Sequence, residues 1–334
     1  MTCNYARVRC AILYALMWPP VAAILIKSNF LIMNYDPNDS RPMAIQIIRS
    51  AVLEATQRRA KAGRLGEVPE KRPQLFTIHS GEKWLELEHD KPSPKKLFGN
   101  FWHQNELCIL FADTNMGKSI LAVQLGNSIS KQDPIGEFAL QTEPCNVLYV
   151  DFELSAKQFQ LRYTMDGPCF SDTFYRAEFN PQVEVPPDYK DYDEYLNYAL
   201  EHAIEQTKAS VLIIDNITCL RNNTDRASEA LPLMQHLKAL KRQFNLSILV
   251  LAHTPKRNPA SPLSRNDLQG SKMLINFADS AFAIGESQKM AGYRYLKQIK
   301  QRSSAEVYGA DNVCLCRIER QGGFLGYVFT GNDS

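Results

Sequence analysis

The sequence lacks the residue patterns of zinc-binding and disulfide-stabilised proteins. Its eight cysteines are scattered over 334 residues without a Cys-X-X-Cys pair or a Cys/His cluster. Cys314 and Cys316, in NVCLCRIE, alternate as residues of a strand do, and we interpret them as packing residues rather than metal ligands. Neither a zinc site nor a disulfide framework is expected, and this cysteine usage fits a reducing cytoplasm.

A strong charge of either sign is absent as well. The chain has 38 Lys and Arg against 36 Asp and Glu, a net charge of +2, which does not by itself indicate nucleic-acid binding. Internal repeats and long low-complexity tracts are also missing. With 45% hydrophobic and 22% charged residues the composition is that of a globular protein, and the length suits one large domain with a smaller appendage.

One long apolar segment lies near the N terminus. Residues 10–26, CAILYALMWPPVAAILI, follow two arginines and end before Lys27. Seventeen residues is the short limit for a membrane span, and the prolines at 19–20 would break a helix there. Three interpretations stay open: a signal or anchor segment, a buried element, or translated sequence upstream of a true start at Met33. We favour the last, since no small-residue cleavage site ends the run, and we expect no membrane partner.

The remaining chain divides into two parts. Residues 33–100 contain one helical apolar pattern (residues 44–64) followed by a Pro-rich, charged stretch, and are interpreted as a helical and irregular adaptor. Residues 101–334 carry the periodic apolar segments of a folded domain. We therefore expect three divisions: the segment 1–32, the adaptor 33–100 and the domain 101–334.

Apolar runs recur along this domain, separated by segments with helical spacing. Runs that are apolar throughout are typical of strands buried on both faces, as in a parallel sheet with crossover helices. The tail then changes to the alternating pattern of hairpin strands, in GYRYLKQIKQR, NVCLCRIER and GFLGYVFTG. The prediction is an α/β fold with a mostly parallel sheet and an antiparallel C-terminal extension. The predicted parallel strands are ELCILFA (106–112), NVLYVDF (146–152), SVLIIDN (210–216), LSILVLAH (246–253) and SAFAIGE (280–286).

A phosphate-binding pattern follows the first of these strands and opens a helix. ADTNMGKS has the P-loop spacing, with Ala112 where the first glycine usually stands. Backbone amides around Gly117 and the helix N terminus form an anion site, and Lys118 places a charge on the outer phosphates. The Ser119 hydroxyl suits Mg²⁺. The pattern predicts ATP and Mg²⁺ as cofactors, bound by Ala112, Asp113, Thr114, Asn115, Met116, Gly117, Lys118, Ser119 and Ile120.

Polar residues end three other predicted strands. Asp215 ends VLIID, where a carboxylate can complete the Mg²⁺ site. Glu153, in YVDFELS, is the candidate that orients or deprotonates the attacking water, with Asp151 as the alternative if the strand continues. His253 ends LVLAH and is interpreted as a sensor of the γ-phosphate.

The order of these motifs resembles the RecA-like ATPase core, with hexameric replicative helicases of the DnaB and plasmid RepA type and KaiC/RadA-like proteins as its nearest members. The resemblance covers residues 100–330 and rests on the P-loop, YVDFELS, IIDN, LAHT and IKQRSS. It implies a RecA-like P-loop NTPase fold, supports Glu153 as the catalytic carboxylate and implies a homo-oligomeric ring. It also implies that Lys300 and Arg302 are fingers that reach the γ-phosphate of a neighbouring subunit. The alternative for IKQRSS is a solvated edge strand.

Two polar loops correspond to the pore loops of such rings. The loops RNNTDRASEA and TPKRNPASPLSRNDLQGSK lack aromatic residues, so base stacking is not supported, but their cations could track a phosphate backbone. Plain surface loops are the alternative. The candidate nucleic-acid contacts are Arg221, Arg226, Lys256, Arg257, Arg265 and Lys272.

Three functions follow from this interpretation. The first is an ATP-driven motor on single-stranded DNA, a ring-forming helicase-like protein of a plasmid or mobile element. The second is a RecA-like ATPase switch that regulates assembly or recombination without unwinding. The third, a nucleotide-binding scaffold without turnover, is disfavoured because it needs no Glu153. We expect a cytoplasmic location and protein partners in replication or mobilisation.

Overall fold

The computed structural model describes residues 76–164, 169–220, 227–255, 257–258, 261–268 and 272–333. The chain divides into two compact units, Met1–Lys91 and Pro92–Ser334. Sequence interpretations of residues 1–75, including the apolar segment 10–26, lie outside the described residues. Among the residues that are described, no helix has the length and apolar character needed to cross a membrane.

The first unit contributes one described helix, α1 (Gly81–His89). It begins after Ser80, whose side chain accepts a hydrogen bond from the backbone N–H of Lys83, an N-cap of the usual kind. The acidic Glu82 in the first turn and His89 in the last turn suit the helix dipole.

The second unit is built on a nine-stranded sheet. Six of its strands run parallel: β3 (Leu107–Ala112), β4 (Val147–Asp151), β5 (Phe174–Glu178), β6 (Val211–Asp215), β7 (Ser247–His253) and β8 (Ser280–Glu286). They stand in the spatial order β8-β3-β7-β6-β4-β5. Because this differs from their order along the chain, crossover connections must join them. A separate two-stranded sheet, β1 (Lys96–Phe98) with β2 (Trp102–His103), precedes them.

Three antiparallel strands extend this sheet beyond β8. They are β9 (Arg294–Lys300), β10 (Val313–Gln321) and β11 (Phe324–Asp333), each paired with its predecessor. The fold class predicted from the sequence, a parallel α/β sheet with an antiparallel C-terminal extension, is confirmed.

Helices connect the strands. They are α2 (Lys118–Lys131), α3 (Ala156–Arg162), α4 (Tyr192–Thr207), α5 (Ile217–Leu220), α6 (Ala227–Gln243) and α7 (Lys272–Phe277), with a 3-10 turn at Arg265–Asp267. The helix α7 directly precedes β8 along the chain.

The core lies on both faces of the sheet, as the unbroken apolar runs require. Along β3, Leu107, Ile109 and Phe111 pack into one hydrophobic cluster, and Cys108 and Leu110 into the cluster on the opposite face. All six β3 residues are fully buried. Each large apolar side chain that is removed from water stabilises the fold by about 1.5–3 kcal/mol. This gain favours a central position for β3, where both of its faces are covered.

The sequence did not predict β5. Its residues, FYRAE, are only partly buried because β5 is the edge strand and pairs with β4 alone. An edge strand needs no continuous apolar run, so the pattern that identified the central strands is absent here. The helix α4 follows β5 along the chain.

Candidate nucleotide-binding site

Neighbouring strands bring the predicted site residues to one edge of the sheet. The central strands stand in the order β3-β7-β6-β4, and their carboxyl ends carry the phosphate loop (residues 112–119), His253, Asp215 and the Glu153 segment. Ligands of open α/β sheets bind at this edge. The row of polar groups therefore follows directly from the sheet order.

Within the phosphate loop, Gly117 has φ +92° and precedes Lys118, the first residue of α2. A Cβ at this position would lie 2.5 Å from Ile318 Cδ1 and 2.8 Å from the Tyr327 hydroxyl. Both the left-handed backbone and the close approach of the β10–β11 hairpin require glycine. The Tyr327 hydroxyl donates to the Met116 carbonyl, so the hairpin holds this side of the loop.

Lys118 is buried at 6% exposure and points back over the loop. Its Nζ donates to the carbonyls of Ala112, at 3.0 Å, and Asp113, at 3.2 Å, and lies 3.1 Å from His253 Nδ1. Burial lowers the pKa of Lys118, and nearby carboxylates oppose that shift, Asp215 most strongly. The ammonium group thus lies where it can meet an anion held by the loop.

Asp215 is almost completely buried beside the start of α2. Its Oδ2 accepts a 2.6 Å hydrogen bond from the Tyr149 hydroxyl. Burial raises the pKa of Asp215 to about 6, although the side chains of Ser119 and Tyr149 act in the other direction. The two predicted metal ligands, Ser119 and Asp215, are therefore close enough to interact.

Glu153 joins the same site through His253. Because the Lys118 ammonium group can only donate, we assign His253 Nδ1 as its acceptor and the ring hydrogen to Nε2, although Asn216 Nδ2, also a donor, lies 3.2 Å from Nε2. Nε2 lies 3.5 Å from Glu153 Oε1, which also accepts from Asn216 Nδ2. The interaction with His253 is the main reason that the pKa of Glu153 lies below its ordinary value. Glu153 is a half-buried carboxylate that stays ionised at neutral pH.

Asp151, the alternative base, has a different role. The strand β4 ends at Asp151, so Asp151 and Glu153 do not alternate along one strand, and this condition of the prediction is wrong. The Asp151 carboxylate is buried, accepts from the backbone N–H groups of Glu153 and Leu154, and pairs with Arg176 Nε at 2.9 Å. It fixes the turn that carries Glu153.

The available donors fit Mg²⁺ in the presence of phosphates. Within the described part of the chain, no group of three His, Cys, Asp or Glu residues could hold a metal ion by itself. Mg²⁺ is usually held by one or two carboxylates, waters and substrate phosphates, and the oxygen donors of Ser119 and Asp215 are of this type. These two residues would hold the metal.

The predicted fingers lie at the opposite end of the sheet. Lys300 pairs with Ala281 near the amino end of β8, whereas Ala112 pairs with Ile284 near its carboxyl end. Lys300 Nζ donates to the carbonyls of Ile275 and Asn276 at the end of α7.

Arg302 follows β9 and lies at the same end. Its Nη1 lies 3.3 Å from Asp279 Oδ1, and its Nη2 donates to the Asn276 carbonyl. No hydrogen bond of the described residues links Lys300 or Arg302 to the phosphate loop of their own chain.

Only part of the predicted nucleic-acid surface can be placed. Arg221, Arg226 and Lys256, and the side chain of Lys272, lie outside the described residues. Arg265 is exposed and donates to the Ile299 carbonyl. Arg257 is 9% exposed and pairs with Asp113 of the phosphate loop. DNA contact by these residues stays a prediction.

Sequence reasoning missed three residues of the site. Asn216 directly follows Asp215 and could have been noted from its position. Tyr149 is a polar-tipped residue between aliphatic neighbours in β4, a weak signal for a buried hydroxyl donor. Tyr327 is 211 residues from Met116, and only the fold brings them together.

Comparison with known proteins identifies a matching family and several relatives. The AAA domain family matches residues 71–259. The chain is 24% identical over 201 residues to DNA repair protein RadA of Streptococcus pneumoniae (strain ATCC BAA-255 / R6), covering 59% of this chain and 39% of that protein. It is 22% identical over 259 residues to DNA repair protein RadA of Streptococcus pyogenes serotype M6 (strain MGAS10394, ATCC BAA-946), covering 76% of this chain and 49% of that protein.

The chain thus spans about half or less of the length of these curated relatives. The matched segment contains the phosphate loop, Glu153, Asp215 and His253. The family match covers more than half of the 334 residues. The strand order and the phosphate loop are consistent with it. The chain therefore belongs to the AAA domain family, and its core is that of a RecA-like P-loop ATPase.

Proposed function

We propose that the protein hydrolyses ATP with Mg²⁺ and uses this reaction to drive a DNA-associated, ring-forming motor, a helicase-like protein of a plasmid or mobile element. One observation supports the proposal most strongly. The carboxyl ends of four neighbouring strands bring five polar side chains together at one edge of the sheet. They are Lys118, Ser119, Glu153, Asp215 and His253.

The chemistry assigns each residue a role. The phosphate loop and Lys118 would hold the outer phosphates, and Ser119 with Asp215 would hold Mg²⁺, which would supply positive charge that neutralises the phosphates. Glu153 orients water and takes its proton as the oxygen bonds to the γ-phosphorus. The bond from phosphorus to the bridging oxygen breaks, and its electron pair leaves with ADP.

The fingers support assembly of several copies. Lys300 and Arg302 lie at the end of the sheet opposite the phosphate loop of the same chain. They could therefore stabilise transition-state charge only on a nucleotide bound to another copy. This placement supports a homo-oligomeric ring, a hexamer by analogy with the family resemblance.

Association with DNA rests on similarity and on loop charge. The relatives are named as DNA repair proteins, and the segment after β7 carries several cations. We propose single-stranded DNA as the polymer, with replication or mobilisation proteins as further partners in the cytoplasm.

The name of the relatives also favours a second candidate. A RecA-like ATPase switch that controls assembly or recombination would use the same site but would not unwind DNA. ATP turnover of the full chain, measured with and without single-stranded DNA, and unwinding of a forked duplex separate the two. Stimulation with unwinding supports the motor, and stimulation without unwinding supports the switch. Absence of turnover under every condition would contradict both.

A further inference from the structure

Arg257 is buried although it belongs to a polar segment. Its guanidinium group is enclosed by two carboxylates, with Nη1 3.2 Å from Asp113 Oδ2 and Nε 3.3 Å from Asp267 Oδ1. Nη2 also donates to the Ser261 carbonyl. Only 9% of the side chain is exposed. A planar guanidinium group that meets several acceptors at fixed angles is an ordered structural element rather than a free surface cation.

Asp113 links this group to the phosphate loop. Its backbone carbonyl accepts from Lys118 Nζ at 3.2 Å, while its carboxylate accepts from Arg257 and from the Thr254 hydroxyl. The Thr254 backbone N–H also donates to the Ala112 carbonyl at 3.2 Å. Asp113 therefore contacts Lys118 through its backbone carbonyl, and its carboxylate is held by the segment after β7.

A carboxylate in a loop that receives a triphosphate is electrostatically unfavourable. Asp113 acts on the charge of Lys118, so it is close enough to interact with anions at that position. An unpaired carboxylate there would repel phosphates, and a paired one would not. Arg257 is the side chain that supplies the compensating positive charge.

We propose that Arg257 is a positioning residue of the nucleotide site, which holds Asp113 and neutralises it so that the phosphate loop accepts a triphosphate. This inference rests on the nucleotide-binding function proposed above. It gives Arg257 a role different from the DNA contact that its sequence context predicts.

The test measures binding of a fluorescent ATP analogue with Mg²⁺ to the full chain. We expect Arg257→Ala to weaken binding about tenfold, within the range found for coupled pairs. The double variant Asp113→Asn/Arg257→Ala should bind more tightly than Arg257→Ala, because the unpaired charge is removed. Arg242→Ala, which removes an exposed arginine at the end of α6, is the matched control.

Three results would overturn the inference. Wild-type affinity in Arg257→Ala shows that the residue does not act on the loop, and equal affinity in Arg257→Ala and the double variant shows that charge compensation is not its role. Loss of single-stranded DNA binding with unchanged nucleotide affinity would assign Arg257 to DNA. If Arg257→Ala does not fold, Arg257→Gln keeps a polar N–H donor without the charge and must show the same weakening and the same rescue. A wild-type protein that binds no nucleotide would instead reject the proposed function itself.

Discussion

Lys118 Nζ lies 3.1 Å from His253 Nδ1, although 135 residues separate them in the chain. This contact assigns the imidazole hydrogen to Nε2, which lies 3.5 Å from Glu153 Oε1 and 3.2 Å from Asn216 Nδ2. The group that would meet the γ-phosphate is therefore connected, through one ring, to the group that would orient water. Lys118 and Glu153 therefore share His253 as a neighbour.

This relationship predicts the tautomer of His253. In the nucleotide-free protein, the ¹⁵N spectrum should show a protonated Nε2 and an unprotonated Nδ1 for this ring. In Lys118→Met the donor to Nδ1 is removed, so Nδ1 should no longer be held in the unprotonated form. A wild-type spectrum with the hydrogen on Nδ1 would contradict the assigned arrangement.

Removal of the Lys118 charge should abolish ATP turnover. We expect Lys118→Ala to lower turnover by about two orders of magnitude or more, as is found when one preorganised donor to a developing charge is removed. Lys131→Ala is the control, since Lys131 lies on the same helix and donates to the Cys169 carbonyl. Unchanged turnover in Lys118→Ala would reject the phosphate-loop assignment.

Asp215 predicts a pH-dependent stability difference. Its pKa is about 6 in the folded protein and about 3.9 in an unfolded chain, so the folded state binds the extra proton between these values. The free energy of unfolding therefore falls as the pH rises through this window. In Asp215→Asn, which has no titrating carboxyl group at this position, this fall in the free energy of unfolding should be absent.

Without nucleotide and metal, Asp215→Asn should exceed the wild type in unfolding free energy by about 2–3 kcal/mol at pH 7, with the gain absent near pH 4. Chemical denaturation at both pH values measures the difference. A stability difference that is the same at pH 4 and pH 7 would show that Asp215 does not titrate in this window.

The finger assignment predicts complementation between inactive variants. Glu153→Gln and Arg302→Ala should each bind nucleotide, with turnover lowered about 10²- to 10⁴-fold for the first, as for loss of a general base. In a mixed assembly, roughly a quarter of the interfaces combine an intact Glu153 with an intact Arg302, so partial turnover should return.

The control for this mixture is Glu153→Gln with the double variant Glu153→Gln/Arg302→Ala, which contains no complete interface. Turnover that returns only in the first mixture supports fingers that act between subunits. Equal turnover in both mixtures would remove that role from Arg302.

The central strands could be predicted from the sequence to within about one residue at each end. The reason is physical: β3, β4, β6, β7 and β8 are buried on both faces, so nearly every position must be apolar. The edge strand β5 has no such requirement, and its mixed sequence gave no signal.

Site residues could be predicted where they end a buried strand. Asp215 and His253 were found in this way because the carboxyl ends of parallel strands share one edge. The pairing of Arg257 with Asp113 spans 144 residues, and it could not be predicted because a polar segment shows no preference for one distant carboxylate.

The most direct test of the central claim is a crystal structure of the complex with Mg²⁺ and a non-hydrolysable ATP analogue. The account predicts one Mg²⁺ with the Ser119 hydroxyl at about 2.1 Å, Asp215 bound directly or through one water, and the γ-phosphate between Lys118 and the Glu153 carboxylate. A nucleotide bound elsewhere, or a metal that contacts neither Ser119 nor Asp215, would contradict it.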